Sequence, residues 1–472
     1  MSDLERMVAG QDAVLERASR HARAFVAGLD TMPAGATAPV AALRAALHRP
    51  LPDGPRDDVA VIDDLVRGVE GGLQGSPTGR FFGWVIGGTL PVAIAADWLT
   101  SAWDQNAASH TLAPAAAVVE EICGVWLKDL LGLPPGASFG LVTGCQMAHA
   151  TALAAARHRL LADRGIDVER VGLAGTPPIR VLTGEHRHES IIRAVRLLGL
   201  GSDCVRLLPC RTDGPLDLGA LEAALAEGSQ PTIVCLQAGD LNTGAYDPFG
   251  PACALAHAAR AWVHVDGAFG LWAAANPRTR HWLDGAAAAD SWATDGHKWL
   301  NLPHDSGFVF VADPAAHQAA FGQAASYSVL VDGTRRQIDW NPEWSRRGRG
   351  FALYAALGAL GRAGVADLVQ RGCAMAAALV EELGRLPDVE ILARPRINQG
   401  LVRFLDPAGR HDERTDAVVS EIQRTGLAWF GATTWRGLRA MRVSVCNWRT
   451  GEADVRTAVE AVGQALRTVS SA

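Results

Sequence analysis

From about residue 137 to 312, short β-rich runs alternate with stretches of helix length. Ile179-Arg-Val-Leu-Thr183 precedes a helical run from His188 to Leu198. Val205-Arg-Leu-Leu208 precedes another, Leu218 to Ala226, and Pro231-Thr-Ile-Val-Cys-Leu236 precedes Pro251 to Ala261. Trp262-Val-His-Val-Asp266 and Gly307-Phe-Val-Phe-Val311 follow. Strands that alternate with helices predict an α/β fold with a mostly parallel sheet covered on both faces. In such sheets ligands sit at the carboxyl ends of the strands.

The flanking regions read differently. Residues 1 to 75 are helical, with proline- and glycine-rich breaks at Pro33-Ala-Gly35 and Arg49-Pro-Leu-Pro-Asp-Gly-Pro55. This segment is too short to bury much by itself, so it is expected to pack on the rest of the chain or on a second subunit. Residues 313 to 350 form a long connection with little periodicity, the kind of segment that often serves as a lid. The remainder reads as helix (Phe351 to Val380), strands (Asn398 to Phe404, Arg439 to Val445) and helix (Glu452 to Val469). The expected units are therefore 1–75, 76–350 including the loop 313–350, and a small α+β unit over 351–472.

Composition narrows the function classes. A chain of 472 residues exceeds what one hydrophobic core usually supports. A net charge of −6 gives no reason to expect a nucleic-acid partner. The dense basic cluster Ser345-Arg-Arg-Gly-Arg349 reads as a solvated or anion-binding loop. Eight scattered cysteines with no C-x-x-C pair point to a reducing, cytoplasmic compartment. Asp3 and Glu5 do not suit a signal peptide. The apolar stretch Phe81 to Thr100 contains Pro91, Asp97, Gly83, Gly87 and Gly88, so it reads as protein interior or pocket wall and not as a membrane span.

Four local patterns carry chemistry. In Ala289-Asp-Ser-Trp-Ala-Thr-Asp-Gly-His-Lys-Trp-Leu300, Lys298 lies between His297 and Trp299. Desolvation there would lower its pKa, as a Schiff-base lysine requires, although such a lysine alone is more often a surface residue. In Trp262-Val-His-Val-Asp-Gly-Ala-Phe-Gly270, Asp266 ends an apolar strand. It could keep a pyridinium nitrogen protonated, and Gly267 and Ala268 would let a flat ring approach. Alone, Asp266 reads equally well as a helix cap or metal ligand. Phe139-Gly-Leu-Val-Thr-Gly-Cys-Gln-Met-Ala-His149 opens a long helix with a glycine turn, which aims free N–H groups at an anion. In Gly184-Glu-His-Arg-His-Glu-Ser190, His186 and His188 hint at a metal, but no further acid–histidine set completes one. His188 instead suits stacking on a planar cofactor. Phosphate turn, stacking histidine, pyridinium aspartate and Schiff-base lysine together describe a pyridoxal 5'-phosphate (PLP) site.

From Arg80 to Val462 the chain resembles the group II PLP-dependent amino-acid decarboxylases, which include the aromatic-amino-acid, histidine and glutamate decarboxylases. Arg80-Phe-Phe-Gly-Trp84, Ala113-Pro114 with Glu120 and Trp126-Leu127, the His-Val-Asp and His-Lys-Trp motifs, and Arg442 with Asn447 carry the likeness. The resemblance implies fold-type I (aspartate aminotransferase-like) architecture and a homodimer with a shared active site. It implies that Gly144, Cys145 and Gln146 hold the phosphate, that His188 stacks on the ring, that Asp266 pairs with its nitrogen and that Ala268 lies on the other face. His297 and Ser291 would lie near the Schiff-base Lys298. Phe81, Phe82, Trp84, Trp340 and, from a partner chain, Asn106 would line the substrate pocket.

Three departures from the family pattern stand out. The phosphate turn usually reads Gly-Gly-Thr/Ser-Glu-Ala-Asn, and here it is Gly144-Cys-Gln-Met-Ala-His149. Gly239-Asp-Leu241 replaces Gly-Thr-Thr, which leaves Asn242 or Thr243 to contact the ring hydroxyl. The loop tyrosine that protonates the substrate carbon is matched by Trp340, and an indole cannot act as that acid. Tyr327 lies in the same loop at a different family position. The expected reaction is decarboxylation of a small apolar or aromatic L-amino acid to its amine. The rivals are oxidative conversion to an aldehyde, another PLP lyase or aminotransferase reaction, and PLP binding without turnover.

Overall fold

In the computed structural model, residues 3–322 and 334–470 are described. Among the described residues, eleven strands build two sheets. The large sheet contains β1 (Ser138–Val142), β2 (Arg180–Gly184), β3 (Val205–Leu208), β4 (Thr232–Gln237), β5 (Trp262–Asp266), β6 (Ser291–Asp295) and β7 (Gly307–Val311). Their order is β1-β7-β6-β5-β4-β2-β3. All neighbours are parallel except where β7 runs antiparallel between β1 and β6. β1, β2, β5, β6 and β7 are buried along their whole length, as a sheet covered by helices on both faces requires.

The small sheet contains β8 (Val389–Ala393), β9 (Gln399–Phe404), β10 (Gly431–Trp435) and β11 (Leu438–Ser444), in the order β10-β11-β9-β8 and antiparallel throughout. Its apolar face packs on the helices Gly350–Leu383, His411–Thr425 and Glu452–Ser470. Phe82 inserts into this core against Phe430, with ring centroids 5.0 Å apart.

The structure agrees with fold-type I α/β architecture. Five strands of the large sheet fall within a residue of the runs read from the sequence. β1 and β6 were not legible as strands, because Gly140, Ser291, Ala293 and Asp295 dilute their apolar content. The N-terminal segment forms the helices Asp3–Ala27, Val40–Leu47 and Asp58–Gly68. The long connection is not structureless. It carries a helix at Pro314–Phe321 and a 3₁₀ turn at Gln337–Trp340. Tyr327 lies outside the described residues.

Candidate active site

The carboxyl ends of β1, β2, β5 and β6 face one another and carry the chemical residues. β5 ends in Asp266 and β6 in Asp295. β1 runs into Gly144, which precedes the helix Cys145–Ala162, and β2 runs through the turn that ends at His188. Lys298 follows β6 by three residues, and its Nζ lies 3.1 Å from Asp295 Oδ2.

Close backbone contacts set this geometry. A Cβ on Gly87 would lie 2.0 Å from the Lys298 carbonyl oxygen, and one on Gly307 would lie 2.4 Å from Gly144 Cα. Glycine at these positions lets the 81–90 segment and β7 close against the lysine turn and the phosphate turn. Asn301 then locks the lysine turn. Its backbone takes the left-handed conformation (φ 57°), which asparagine tolerates better than most residues. Its side chain donates to the carbonyls of Trp299 (2.8 Å) and Cys446 (2.9 Å) and accepts from the amides of Gly88 (2.7 Å) and Trp448 (3.0 Å).

The charge states follow from these surroundings. Burial works against the Lys298 ammonium, yet the carboxylates of Asp295 and Asp266 hold its pKa above the usual lysine value. The depression expected from desolvation alone is thus reversed by Asp295. Burial also opposes the Asp266 carboxylate, but His149, His188 and Lys298 bring its pKa below the ordinary value. Ala268 N–H donates to Asp266 Oδ1 at 3.1 Å. His188 is held neutral by burial and by the positive charges of Lys298 and Arg442, against the pull of Asp266. Its Nδ1 accepts from Ser190 N–H at 3.2 Å and caps the helix Glu189–Leu197, so its proton sits on Nε2. His297 Nδ1 accepts from Ser306 N–H at 3.1 Å, its ring stacks on His304, and burial pushes its pKa down to about 4.

Lys298, Asp266, His188, His297, Ala268, Gly144, Cys145 and Gln146 are therefore brought together around one strand edge. Other expected residues are placed elsewhere. Ser291 begins β6, at the far end of the strand from Lys298, and its Oγ bonds to Trp262 and His264. Asn242 accepts a 3.0 Å hydrogen bond from Thr433 and belongs to the turn organised by Asp240. Phe82 is core, whereas Phe81 and Trp84 both stack on Trp429, with centroids 4.9 and 4.5 Å away. Asn106 bonds to Ser345 Oγ and to the Arg346 amide of its own chain. Trp340 packs against His317 and under Arg335, and its carbonyl accepts from His317. His317 bonds to Ser138, at the amino end of β1, and the Trp340 carbonyl lies beside Gly140 in the middle of that strand.

Three residues of the site were not recognised from the sequence. Asp295 accepts the Cys145 N–H at 2.6 Å as well as pairing with Lys298. His149 stands 3.5 Å from Asp266. Asn301 is the third. The polar residues of β5 and β6 were the available signal, since a buried strand rarely carries a carboxylate without a partner.

The family model for the pyridoxal-dependent decarboxylase conserved domain matches residues 41–405. The chain belongs to this decarboxylase family. Tryptophan decarboxylase 1 of Oryza sativa subsp. japonica is 29% identical over 413 residues, which are 81% of this chain and 79% of that protein. Phenylacetaldehyde synthase of Petunia hybrida is 28% identical over 383 residues, covering 76% and 73%. The crystal structure of Oryza sativa TDC with PLP and tryptamine superposes with a TM-score of 0.92 at 23% identity, covering 98% of each chain. The protein is thus a PLP-dependent amino-acid decarboxylase, a carboxy-lyase.

The residues present fit the cofactor. An ionised, buried Asp266 suits a pyridinium, neutral His188 suits the face of a ring, and Lys298 is within reach of both charges. At the phosphate end, the first-turn amides of Cys145 and Gln146 lack intrahelical partners, and a helix N-terminus favours an anion. Asp295 is already one such anion, held on the Cys145 N–H.

Burial of neutral histidines gives this decarboxylase a predictable acid sensitivity. Burial drives the pKa of His264 and of His317 down to about 3, and those of His149 and His297 fall as well. The unfolded chain takes up these protons near pH 6.5 and the native chain does not. Stability is therefore full above about pH 6.5 and is lost as pH falls toward the native values, by up to about 1.4 kcal/mol per group per pH unit. Denaturant titrations at pH 7 and pH 5 should show a clear loss at pH 5. Equal stability would contradict the neutral assignment.

Proposed function

We propose that this decarboxylase acts on an L-amino acid with an apolar or aromatic side chain and releases the amine. The observation that carries the proposal is the fate of the basic cluster. Arg346 is bound to Glu120, Arg347 to Asp97 and Arg349 to Asp305. Each of the three charges thus already has a carboxylate partner in its own chain. Phe81 and Trp84, by contrast, stack on Trp429 and lie on the segment whose Gly87 closes against the Lys298 carbonyl.

PLP, when bound, supplies an electron sink for the bond to the leaving carboxylate. The chain supplies position and protons. Asp266 holds the pyridine proton, and His188 presents Nε2–H from a helix cap. Lys298 anchors the cofactor and is the strongest candidate to return a proton to the substrate carbon, since neutral His188 is a weak acid. Tyrosine does not compete for that role among the described residues. Tyr246 donates to the Gly270 carbonyl, and Tyr354 stacks on Trp126.

A second reading, oxidative conversion to an aldehyde, is favoured by the similarity to phenylacetaldehyde synthase. One product analysis separates the two: purified protein, PLP and a pool of amino acids, scored by mass spectrometry. Amine from an aromatic or aliphatic substrate supports the first reading. Aldehyde supports the second, and turnover restricted to glutamate- or aspartate-like substrates overturns the side-chain assignment. The proposal includes a homodimer in a reducing, cytoplasmic setting. It is supported by exposed Trp98, Trp103, Val125, Trp126 and Tyr354 and by eight unpaired cysteines. Light scattering that reports a monomer would sink the dimer.

A further inference from the structure

Beneath the cofactor-facing edge runs a buried line of polar side chains that the reaction itself does not use. Trp262, His264 and Asp266 alternate along β5 and so share one face. Ser291 on β6 pairs with His264 in the strand register. His149 lies one turn beyond Cys145 on the helix that covers this face. Trp262 Nε1 is 2.9 Å from Ser291 Oγ, Ser291 Oγ is 2.9 Å from His264 Nδ1, and His264 Nε2 is 2.9 Å from His149 Nδ1. His149 Nε2 is buried without a hydrogen-bond partner and stands 3.5 Å from Asp266 Oδ2. Ser291, His264 and His149 are all fully buried.

The chemistry of the two ends fixes the direction of every link. An indole N–H can only donate, and an ionised carboxylate can only accept. Trp262 therefore donates to Ser291, so the Ser291 hydroxyl proton is free to go to His264 Nδ1. That places the His264 proton on Nε2, where it is given to His149 Nδ1. The His149 proton is then on Nε2 and faces Asp266. Burial keeps both imidazoles neutral, so each has one donor and one acceptor.

We propose that Trp262, Ser291, His264 and His149 form a one-way hydrogen-bond relay that orients Asp266 and keeps it ionised against the ring nitrogen. Ser291 is thus a positioning residue that acts through two imidazoles, not a cofactor contact. An amide in place of the His149 imidazole would also offer one donor and one acceptor. The other groups that face Asp266 are Lys298, His188, Cys235 and Cys145, with Cys145 Sγ at 4.0 Å, and they are common to every variant compared.

Removing the Ser291 hydroxyl frees His264 to take the opposite tautomer. His149 then follows, and a lone pair replaces the N–H that faces Asp266. The inference rests on the PLP assignment, and the test separates the two. PLP affinity and the pH midpoint of the visible absorbance of the Lys298–cofactor linkage are measured for wild type, Ser291→Ala and Ser291→Thr. In Ser291→Ala, PLP affinity should fall about tenfold, as for the loss of one hydrogen bond to a charged group. The absorbance midpoint should rise by about one unit, because a ring nitrogen held less firmly draws less charge from the linkage. Ser291→Thr keeps the hydroxyl and should restore both. A folded Ser291→Ala protein with wild-type affinity and midpoint overturns the relay, as does a threonine variant no better than alanine. Should Ser291→Ala fail to fold, His149→Asn against His149→Leu makes the same comparison, and equal values for that pair overturn it. Absence of PLP binding by the wild type would instead overturn the cofactor assignment.

Discussion

Lys298→Ala should lose the visible absorbance of bound PLP and decarboxylate on the order of 10⁴-fold more slowly, the scale of loss when an enzyme's covalent group is removed. The chain makes this test unusually clean, because Lys128 and Lys298 are its only lysines. Lys128 lies in the last turn of the helix Pro114–Leu130, with its ammonium bonded to the carbonyls of Pro135 and Ala137 in the loop that follows. Borohydride treatment of the wild type should therefore fix one cofactor on the peptide that contains Lys298. In the alanine variant that adduct should vanish. A variant that keeps a reducible adduct away from the N-terminal amine would show that the cofactor is anchored elsewhere.

The second large effect concerns stability. Glu120→Ala should destabilise the protein by about 3–5 kcal/mol, because it strands a buried arginine. Arg346 Nη1 donates to both Glu120 oxygens, at 2.7 and 3.0 Å, and to the Ala107 carbonyl at 2.8 Å. Its Nη2 donates at 2.6 Å to the carbonyl of Leu141, near the end of β1. The pair thus ties the end of the long connection to the strand that runs into Gly144. Urea denaturation measures the loss. The double variant Glu120→Gln with Arg346→Met removes both charges and should be less damaged than Glu120→Ala. A Glu120→Ala protein within about 1 kcal/mol of wild type would mean that Arg346 finds water or another acceptor.

What could be read from the sequence was what lies close together along the chain. Asp266 ends its own strand and Lys298 neighbours a histidine and a tryptophan, so their chemistry shows in a short window. Asp295, His149 and Asn301 take much of their role from partners distant in sequence. Asp295 meets Cys145, His149 meets His264, and Asn301 meets Gly88 and Cys446. The arginines of 345–349 looked available for an anion because their acidic partners, Asp97, Glu120 and Asp305, come from three other segments. Trp340 was aligned within a stretch that has no hydrophobic period to fix its register. The structure places it against His317 and Arg335.

Because β7 returns antiparallel beside β6, the lysine loop is a tether fastened at both ends to adjacent strands and pinned midway by Asn301. Its backbone is thus held by hydrogen bonds at both ends and at its middle, and the freedom of the Lys298 Nζ lies in the four methylenes of its side chain. The frame can thus stay rigid while the reactive nitrogen moves by several ångströms, and lengthening this loop by even one residue would slacken both at once.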